Sequence, residues 1–480
     1  MEGEEIKSQG KPCSGWKFQC TRLYSYIALL ILYALVSFHK QCTSVLSKKI
    51  SATYEVEENK ISVFSAIYFY PYACTQPFAG LFADLLDPAI VVGVFSCMAS
   101  VGSIICAAST SLGVGIFGRF LVGLGCGPTY VSTCRVITNW FKLQHLSIYM
   151  GILVAVSGLG GILAALPLAL FADKYGWKAA LYGIGGIGGV LSIFILIFVR
   201  GSPTSKGYEP VNSQLATSGE PMPFKEKMVL LWTNFKTVLA YGYFWVITVF
   251  NATSSAPYFN VAGYWGGPYL TAVLGYDSKK KGTTLISCSV GVIAGSLILP
   301  HLSNLLHTKK WILVAADALA LASIIPLMIH GENISNGAIW AIYTIIGFFT
   351  APCISISYPL LCSYYHPKVA GSSVGLGNFF IFMAAAIYQQ ISTLGFRQKD
   401  ENGKAIQDWY GYKWGLWFFC IVSLAISLIA AILAKETKAP TEDSKELDNS
   451  KNMPEMKKEG SSDVGEDSEG IEDSGSGVEV

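Results

Sequence analysis

Twelve runs of about twenty apolar residues, joined by short polar segments, leave this chain few folds to choose from. A helix of that length crosses the ~30 Å hydrocarbon core of a bilayer, and a backbone without water must pair its own amides, which a helix does. The runs cover 24–46, 61–83, 88–109, 112–137, 145–171, 179–199, 241–270, 283–303, 310–330, 337–361, 370–395 and 412–434. Only 14% of residues are charged, against about a quarter in soluble domains, and the mean hydropathy is +0.45. The fold expected is an all-α membrane protein with twelve transmembrane helices in two six-helix repeats. Its partners are then the lipid bilayer and a small-molecule substrate. A net charge of +2 spread over short loops speaks against nucleic acid.

The cysteines carry no pairing pattern: Cys97, Cys106, Cys126, Cys134, Cys288, Cys353, Cys362 and Cys420 all fall in apolar runs, where Cys packs as a small hydrophobe. No metal cluster, nucleotide loop or nucleophile constellation stands in the loops, so neither an enzyme nor a cofactor is expected.

The chain divides into an N-terminal tail (1–23), a six-helix bundle (24–199), a linker (200–240) with Pro203, Pro210, Pro221 and Pro223, a second bundle (241–434) and an acidic tail (435–480). The tail is rich in Glu, Asp, Ser and Gly and cannot bury enough apolar surface to fold. No cleavage site follows the first run, which reads as an uncleaved anchor. Lys and Arg are biased weakly toward the side bearing the termini, so both are placed in the cytoplasm. Asn333-Ile334-Ser335, between the ninth and tenth runs, is then a sequon on the opposite side and a candidate glycan acceptor.

The halves echo one another. Gly123, Pro128, Trp140 and Gly151 recur as Gly347, Pro352, Tyr364 and Gly375 at a constant offset of 224 (347 − 123). Repeated halves with a solute site between them are how many secondary carriers are built.

Gly80-Leu81-Phe82-Ala83-Asp84 after the second run, and Gly118-Arg119-Phe120-Leu121-Val122-Gly123-Leu124-Gly125 in the fourth, resemble the signatures of the major facilitator superfamily. Tyr68-Phe69-Tyr70-Pro71-Tyr72 with Gln76-Pro77, and Gly263-Tyr264-Trp265-Gly266-Gly267-Pro268-Tyr269-Leu270, are similar to a branch common in bacteria and, more distantly, to the lysosomal dipeptide carriers of animals. The resemblance covers about 24–434. It implies alternating access of two six-helix halves, with runs one, four, seven and ten walling the pore and two, five, eight and eleven beside them. In the family the Asp of the first signature joins basic residues in a latch; here Leu85-Leu86-Asp87-Pro88-Ala89 replaces the basic residues, so only the Asp84 end carries over. Arg119 is expected in coupling or helix pairing, and Arg135 near the cytoplasmic surface or in the vestibule.

Polar residues inside those runs are the candidate substrate ligands: His39, Lys40, Gln41, Tyr68, Tyr72, Asn251, Asn260, Tyr358, Asn378 and Gln389, with Gln390 beside the last. A Lys well inside a spanning helix costs about 2.5–3.5 kcal/mol on insertion scales, so it is expected to face a watered, protein-lined cavity. The first run contains no acid, which makes the cavity net positive and favours an anionic solute: an organic acid, a sugar acid or a phosphate ester. His39 titrates near neutrality and is a candidate site for a coupling proton. Asp317 is the other candidate, discounted because its helix is usually peripheral in the family. Uniport, symport and exchange stay open, and a monomer is expected. The alternatives are a dipeptide or amino-acid exporter of an acidic organelle, for which Tyr208-Glu209-Pro210-Val211 would be a sorting signal, and a nutrient sensor or accessory subunit that has lost transport.

Overall fold

A computed structural model describes residues 13, 15–142, 145–211, 223–365, 367–396 and 406–436, all within one compact unit; of Asp84, Ser147, Pro367 and Lys368 only the backbone is described. Among these residues there is no strand. The first crossing is one helix, α1 (Trp16–Tyr54), far longer than a hydrocarbon core requires. It ends where Glu55 turns left-handed (φ 55°) and its N–H closes on the Ser51 carbonyl.

Prolines then cut several crossings into pieces, because a ring at position i clashes with the carbonyl at i−4 and offers no N–H. Pro71 separates α2 (Ile61–Ala66) from α3 (Phe69–Leu85). After α4 (Pro88–Ala108), Pro128 divides α5 (Leu112–Cys126) from α6 (Thr129–Trp140), and Pro167 divides α7 (Leu146–Leu163) from α8 (Leu166–Tyr175). The first half closes with α9 (Trp177–Phe198). Within the stretch read as a linker, Phe224–Ala240 form α10; residues 212–222 lie outside those described.

The seventh crossing is the most fragmented: α11 (Gly242–Ser254), α12 (Ala256–Asn260), a π turn over Val261–Trp265 and α13 (Gly266–Ala272), with Pro257 and Pro268 at the breaks. Then come α14 (Ser278–Leu305), α15 (Lys310–His330), α16 (Asn336–Phe349), α17 (Ile354–Cys362), α18 (Pro367–Ile391), α19 (Trp409–Tyr412) and α20 (Phe418–Leu433). Pro352 parts α16 from α17 as Pro128 parts α5 from α6. Ten stretches are long and apolar enough to cross a membrane. The broken second (α2–α3) and seventh (α11–α13) segments complete twelve. The protein is a multi-pass membrane protein.

The repeat has a packing meaning. A Cβ on Gly123 would lie 2.0 Å from the carbonyl oxygen of Tyr68, and one on Gly347 would lie 2.0 Å from that of Cys288. Each glycine thus presses the fourth crossing of its half onto the second. The seams between halves differ: Gly375 of α18 lies against the Gln76 backbone of α3, whereas Gly151 of α7 has no neighbour within 4 Å. Beside Gly151 a pocket opens between α7 and α14, lined by Val154, Ala155, Ile293, Ser296 and Ser355.

An even number of crossings puts both ends of the bundle on one face, and the halves seal at the other. There a Cβ on Gly267 would meet the Ser44 carbonyl at 1.8 Å, Lys281 Nζ donates to the Val45 carbonyl (3.1 Å), and Asp173, paired with Lys49 of its own half (2.8 Å), accepts from Ser278 of the other (3.1 Å). The Tyr264 hydroxyl donates to the Glu58 carbonyl, while the Glu58 carboxylate accepts from Ser47 (2.5 Å). Burial holds the Glu58 carboxyl above the usual range, partly offset by Ser47, Lys281 and Lys48. The sealed form therefore binds this proton more tightly than a hydrated, opened form, so acid favours the seal and rising pH, from about pH 4 upward, weakens it. A cysteine placed at Ser62, buried within this end, should label faster as pH rises once its rate is divided by that of the same thiol in the unfolded protein, which removes the contribution of thiolate formation. Glu58→Gln should flatten that dependence; an unchanged profile in the variant would remove Glu58 from the seal.

A candidate substrate cavity between the halves

His39, Lys40 and Gln41 follow one another on α1, and a helix turns about 100° per residue, so they face three directions. Lys40 looks toward the other half. Its ammonium donates to the Tyr72 hydroxyl at 3.1 Å and lies 4.4 Å and 4.8 Å from the ring centres of Tyr72 and Phe382. Among the described residues it has no carboxylate partner. Gln41 bridges the halves too, donating to the Tyr258 hydroxyl (3.1 Å) and accepting from Ser289 (3.3 Å). His39 is 4% exposed and turns into its own half, toward a small cavity lined by Ser96 and Ser100 of α4 and Ile184 and Gly188 of α9.

A second polar chain crosses the interface. The Tyr358 hydroxyl donates to Asn378 Oδ1, Asn378 Nδ2 to Gln76 Oε1 (3.3 Å), and Gln76 Nε2 to the Gly127 carbonyl (2.9 Å) at the α5–α6 break. Tyr72, Tyr68, Phe69, Phe259 and Phe382 form one buried aromatic cluster with Tyr33, Tyr258 and Tyr358 packed on it. Tyr68 stacks on Tyr72 (5.7 Å) and is itself fully buried. Lys40, Gln41, Tyr72, Tyr358 and Asn378 are thus brought together where the halves meet.

Other candidates lie elsewhere. Asn251 accepts from Ser357 (2.6 Å) inside the second half. Gln389 donates to the Phe259 carbonyl (3.0 Å), Trp265 donates to the Gln389 carbonyl (2.9 Å), and Asn260 sits beside Cys420. Asn251 and Gln389 tie broken crossings to their neighbours, whereas both side-chain polar atoms of Asn260 are buried without a hydrogen-bond partner among the described residues. Asp317 is fully buried and accepts from Ser254 (2.7 Å), joining α15 to the end of α11.

Arg119 is 1% exposed. Its guanidinium donates to the His39 carbonyl (2.9 Å) and Thr43 Oγ1 (3.2 Å) and lies across the rings of Phe64 and Tyr68, locking α5 to α1. Arg135 is exposed toward the end of α6. The Asp84 side chain is outside the described residues, and Asn304, its counterpart in the second half, is exposed.

Two carboxylates absent from the sequence reading staple each half on the termini face. Asp87 caps α4 and accepts from Gly201 N (2.8 and 2.9 Å) just after α9. Glu436, just after α20, accepts from the backbones of Lys309 (3.0 Å) and Lys310 (2.8 Å) at the start of α15. Asp87-Pro88 was legible as a cap signature; Glu436 had no local signal. Tyr208 packs edge-on against Phe18, which stacks on Trp140. Its ring is therefore engaged in the folded bundle.

Two six-helix halves that meet at a buried polar centre and seal at one end are the architecture of a membrane transporter, whose substrate is a small molecule. The chain belongs to the Major Facilitator Superfamily, whose family model matches residues 29–388. It is similar to the membrane sensor protein UhpC of Escherichia coli (strain K12), 21% identical over 88% of this chain and 94% of that one. A probable hexose phosphate transport protein of Chlamydia trachomatis serovar D is 21% identical over 89% and 93%, and a probable sulfoacetate transporter, SauU, of Cupriavidus necator is 21% identical over 56% and 62%. In fold it is similar to a bacterial homolog of the human lysosomal transporter Spinster, solved inward-facing and unoccupied: TM-score 0.64, 14% identity, 86% of this chain and 96% of that one.

Proposed function

We infer that this protein carries a small organic anion by alternating access, with Lys40 as the anchor for the negative group. The observation behind the reading is the Lys40 ammonium, placed between Tyr72 and Phe382 at the junction of the halves and lacking an acidic partner among the described residues. Two similar proteins whose names concern sulfoacetate and a hexose phosphate fit an anion site. Gln41, Tyr258, Tyr358 and Asn378 supply neutral hydrogen-bonding groups around it. A coupling proton, where transport is proton-linked, would involve His39 or Asp317.

The test is uptake of pooled organic acids, sugar acids and phosphate esters into proteoliposomes. Removing a charge-assisted contact worth roughly 1.5–3 kcal/mol predicts that Lys40→Ala slows uptake of the transported pool about tenfold or more. Normal uptake by the variant would sink the assignment. A second reading, a sensor that binds the anion without moving it, is favoured by the similarity to UhpC along nearly its whole length; Lys40-dependent thermal stabilisation without uptake would select it.

For topology we take the termini as cytoplasmic. Asn333 is exposed in the turn between α15 and α16, on the sealed face. A glycosidase-sensitive mobility shift abolished by Asn333→Gln is expected in a glycosylating host; a shift that persists in the variant would exclude that site.

A further inference from the structure

We propose that the solute is a monoanion, held by one carboxylate-type group, and that phosphate monoesters in their dianionic form are disfavoured. This rests on the anion-carrier reading above and narrows it by charge balance.

The crossings at the interface between halves, α1 to α3, α5 to α8, α11 to α14 and α16 to α18, contain two acidic residues, both at their ends: Asp84 at the termini end of α3, and Asp173 at the sealed end of α8, where it pairs with Lys49. Away from their ends they contain two basic residues, Lys40 and Arg119, with Arg135 nearer the end of α6. Arg119 is covered rather than presented to a solute: it is 1% exposed, Nη2 donates to the His39 carbonyl and Thr43, Phe64 and Tyr68 lie over its guanidinium, and its Nε is left without a partner among the described residues. Arg135 lies eight residues beyond Gly127 (135 − 127), about 12 Å along the helix axis from the level of Gln76 and Tyr72. Arg119 keeps its charge, since its partners are neutral, but Lys40 is the cation left for direct contact at the centre, and it retains two N–H donors after its bond to Tyr72.

One ammonium balances one carboxylate. A phosphate monoester at neutral pH carries about −1.5 to −2. Its second charge would be desolvated against aromatic rings and neutral amides, the arrangement in which a buried charge costs most. The hydroxyls of Tyr258 and Tyr358 and the amides of Gln41 and Asn378 can pair with the hydroxyl or amide groups of a polar body, but none neutralises a second charge.

Thermal shift and proteoliposome uptake would be measured with three panels: monocarboxylates (hexuronates, hexonates and short 2-hydroxy acids), phosphate monoesters (hexose 6-phosphate and glycerol 3-phosphate) and neutral hexoses. At pH 7.5 the best monocarboxylate should be bound and moved about tenfold or more better than the best phosphate ester. At pH 5.5, below the phosphate's second pKa of about 6, the gap should narrow. Lys40→Met, which keeps the length of the side chain, should lose the monocarboxylates, and Lys40→Arg should retain them in part. Should Lys40→Met fail to fold, wild-type selectivity and its pH trend decide. Phosphate esters preferred at pH 7.5 would overturn the charge count and leave the anion carrier standing, with Arg135→Ala showing whether that residue supplies the second charge. Neutral hexoses preferred, or no member of either anion panel bound, would overturn the anion reading itself.

Discussion

Valine at Gly123 should leave little folded protein. Even an alanine Cβ would sit 2.0 Å from the Tyr68 carbonyl oxygen, 2.8 Å from its carbon and 3.0 Å from Pro71 Cγ. Backbone cannot swing aside as a side-chain tip can, so α5 and the α2–α3 segment must separate by more than 1 Å. Overpacking of this kind costs about 1–3 kcal/mol or more, and valine adds two further methyls at the same point. The damage spreads to the site, because Tyr68 stacks on Tyr72, which receives the Lys40 hydrogen bond. Gly347→Val should act alike in the second half, against Cys288. Gly183→Ala and Gly186→Ala, with nothing within 4 Å, should be neutral or gain up to about 1 kcal/mol of helix propensity. Thermal melting of the solubilised protein checks the set; a Gly123 variant melting like wild type would mean the two crossings are not packed as described.

Loss of Arg119 should be nearly as severe. Arg119→Leu deprives the His39 carbonyl and Thr43 hydroxyl of their donor inside a low-dielectric interior and leaves a gap over Phe64 and Tyr68. Each lost buried hydrogen bond costs about 1–3 kcal/mol, so about 2–4 kcal/mol in all is expected after neighbours relax. Arg119→Lys keeps the charge but not the planar fork that reaches both acceptors, and should fall between. The order wild type, Lys, Leu should appear in melting temperature and again in Lys40-dependent anion binding, because Arg119 fixes the turn of α1 that carries Lys40. If Leu matched wild type in both, Arg119 would not pin that turn.

Much of the fold was legible in the chain. Apolar runs set the crossings, since only a helix pairs its backbone without water. Breaks stand at Pro71, Pro128, Pro167, Pro257 and Pro352, though Pro77, Pro300, Pro326 and Pro359 lie inside unbroken helices, and Gly123 and Gly347 marked close contacts through their shared offset. The site was legible only in part. His39, Lys40 and Gln41 entered as one polar group, yet adjacent residues of a helix point about 100° apart, and hydropathy gives no phase to a helix surrounded by protein. Asn251 and Gln389 carried the same polar signal as Asn378, but they hold crossings of the second half together. Glu436 gave no signal because its partners lie more than 120 residues away.

The sequence by itself determined that this protein crosses a membrane twelve times and that acids are scarce along its interior. Those are properties of single segments, fixed by solvation, sterics and composition. Tertiary structure decided that Lys40 points to the centre of the junction while Arg119 packs α5 on α1 and His39 turns away. A side chain's surroundings depend on which neighbours the assembled halves bring to it, and that information lies in no single segment.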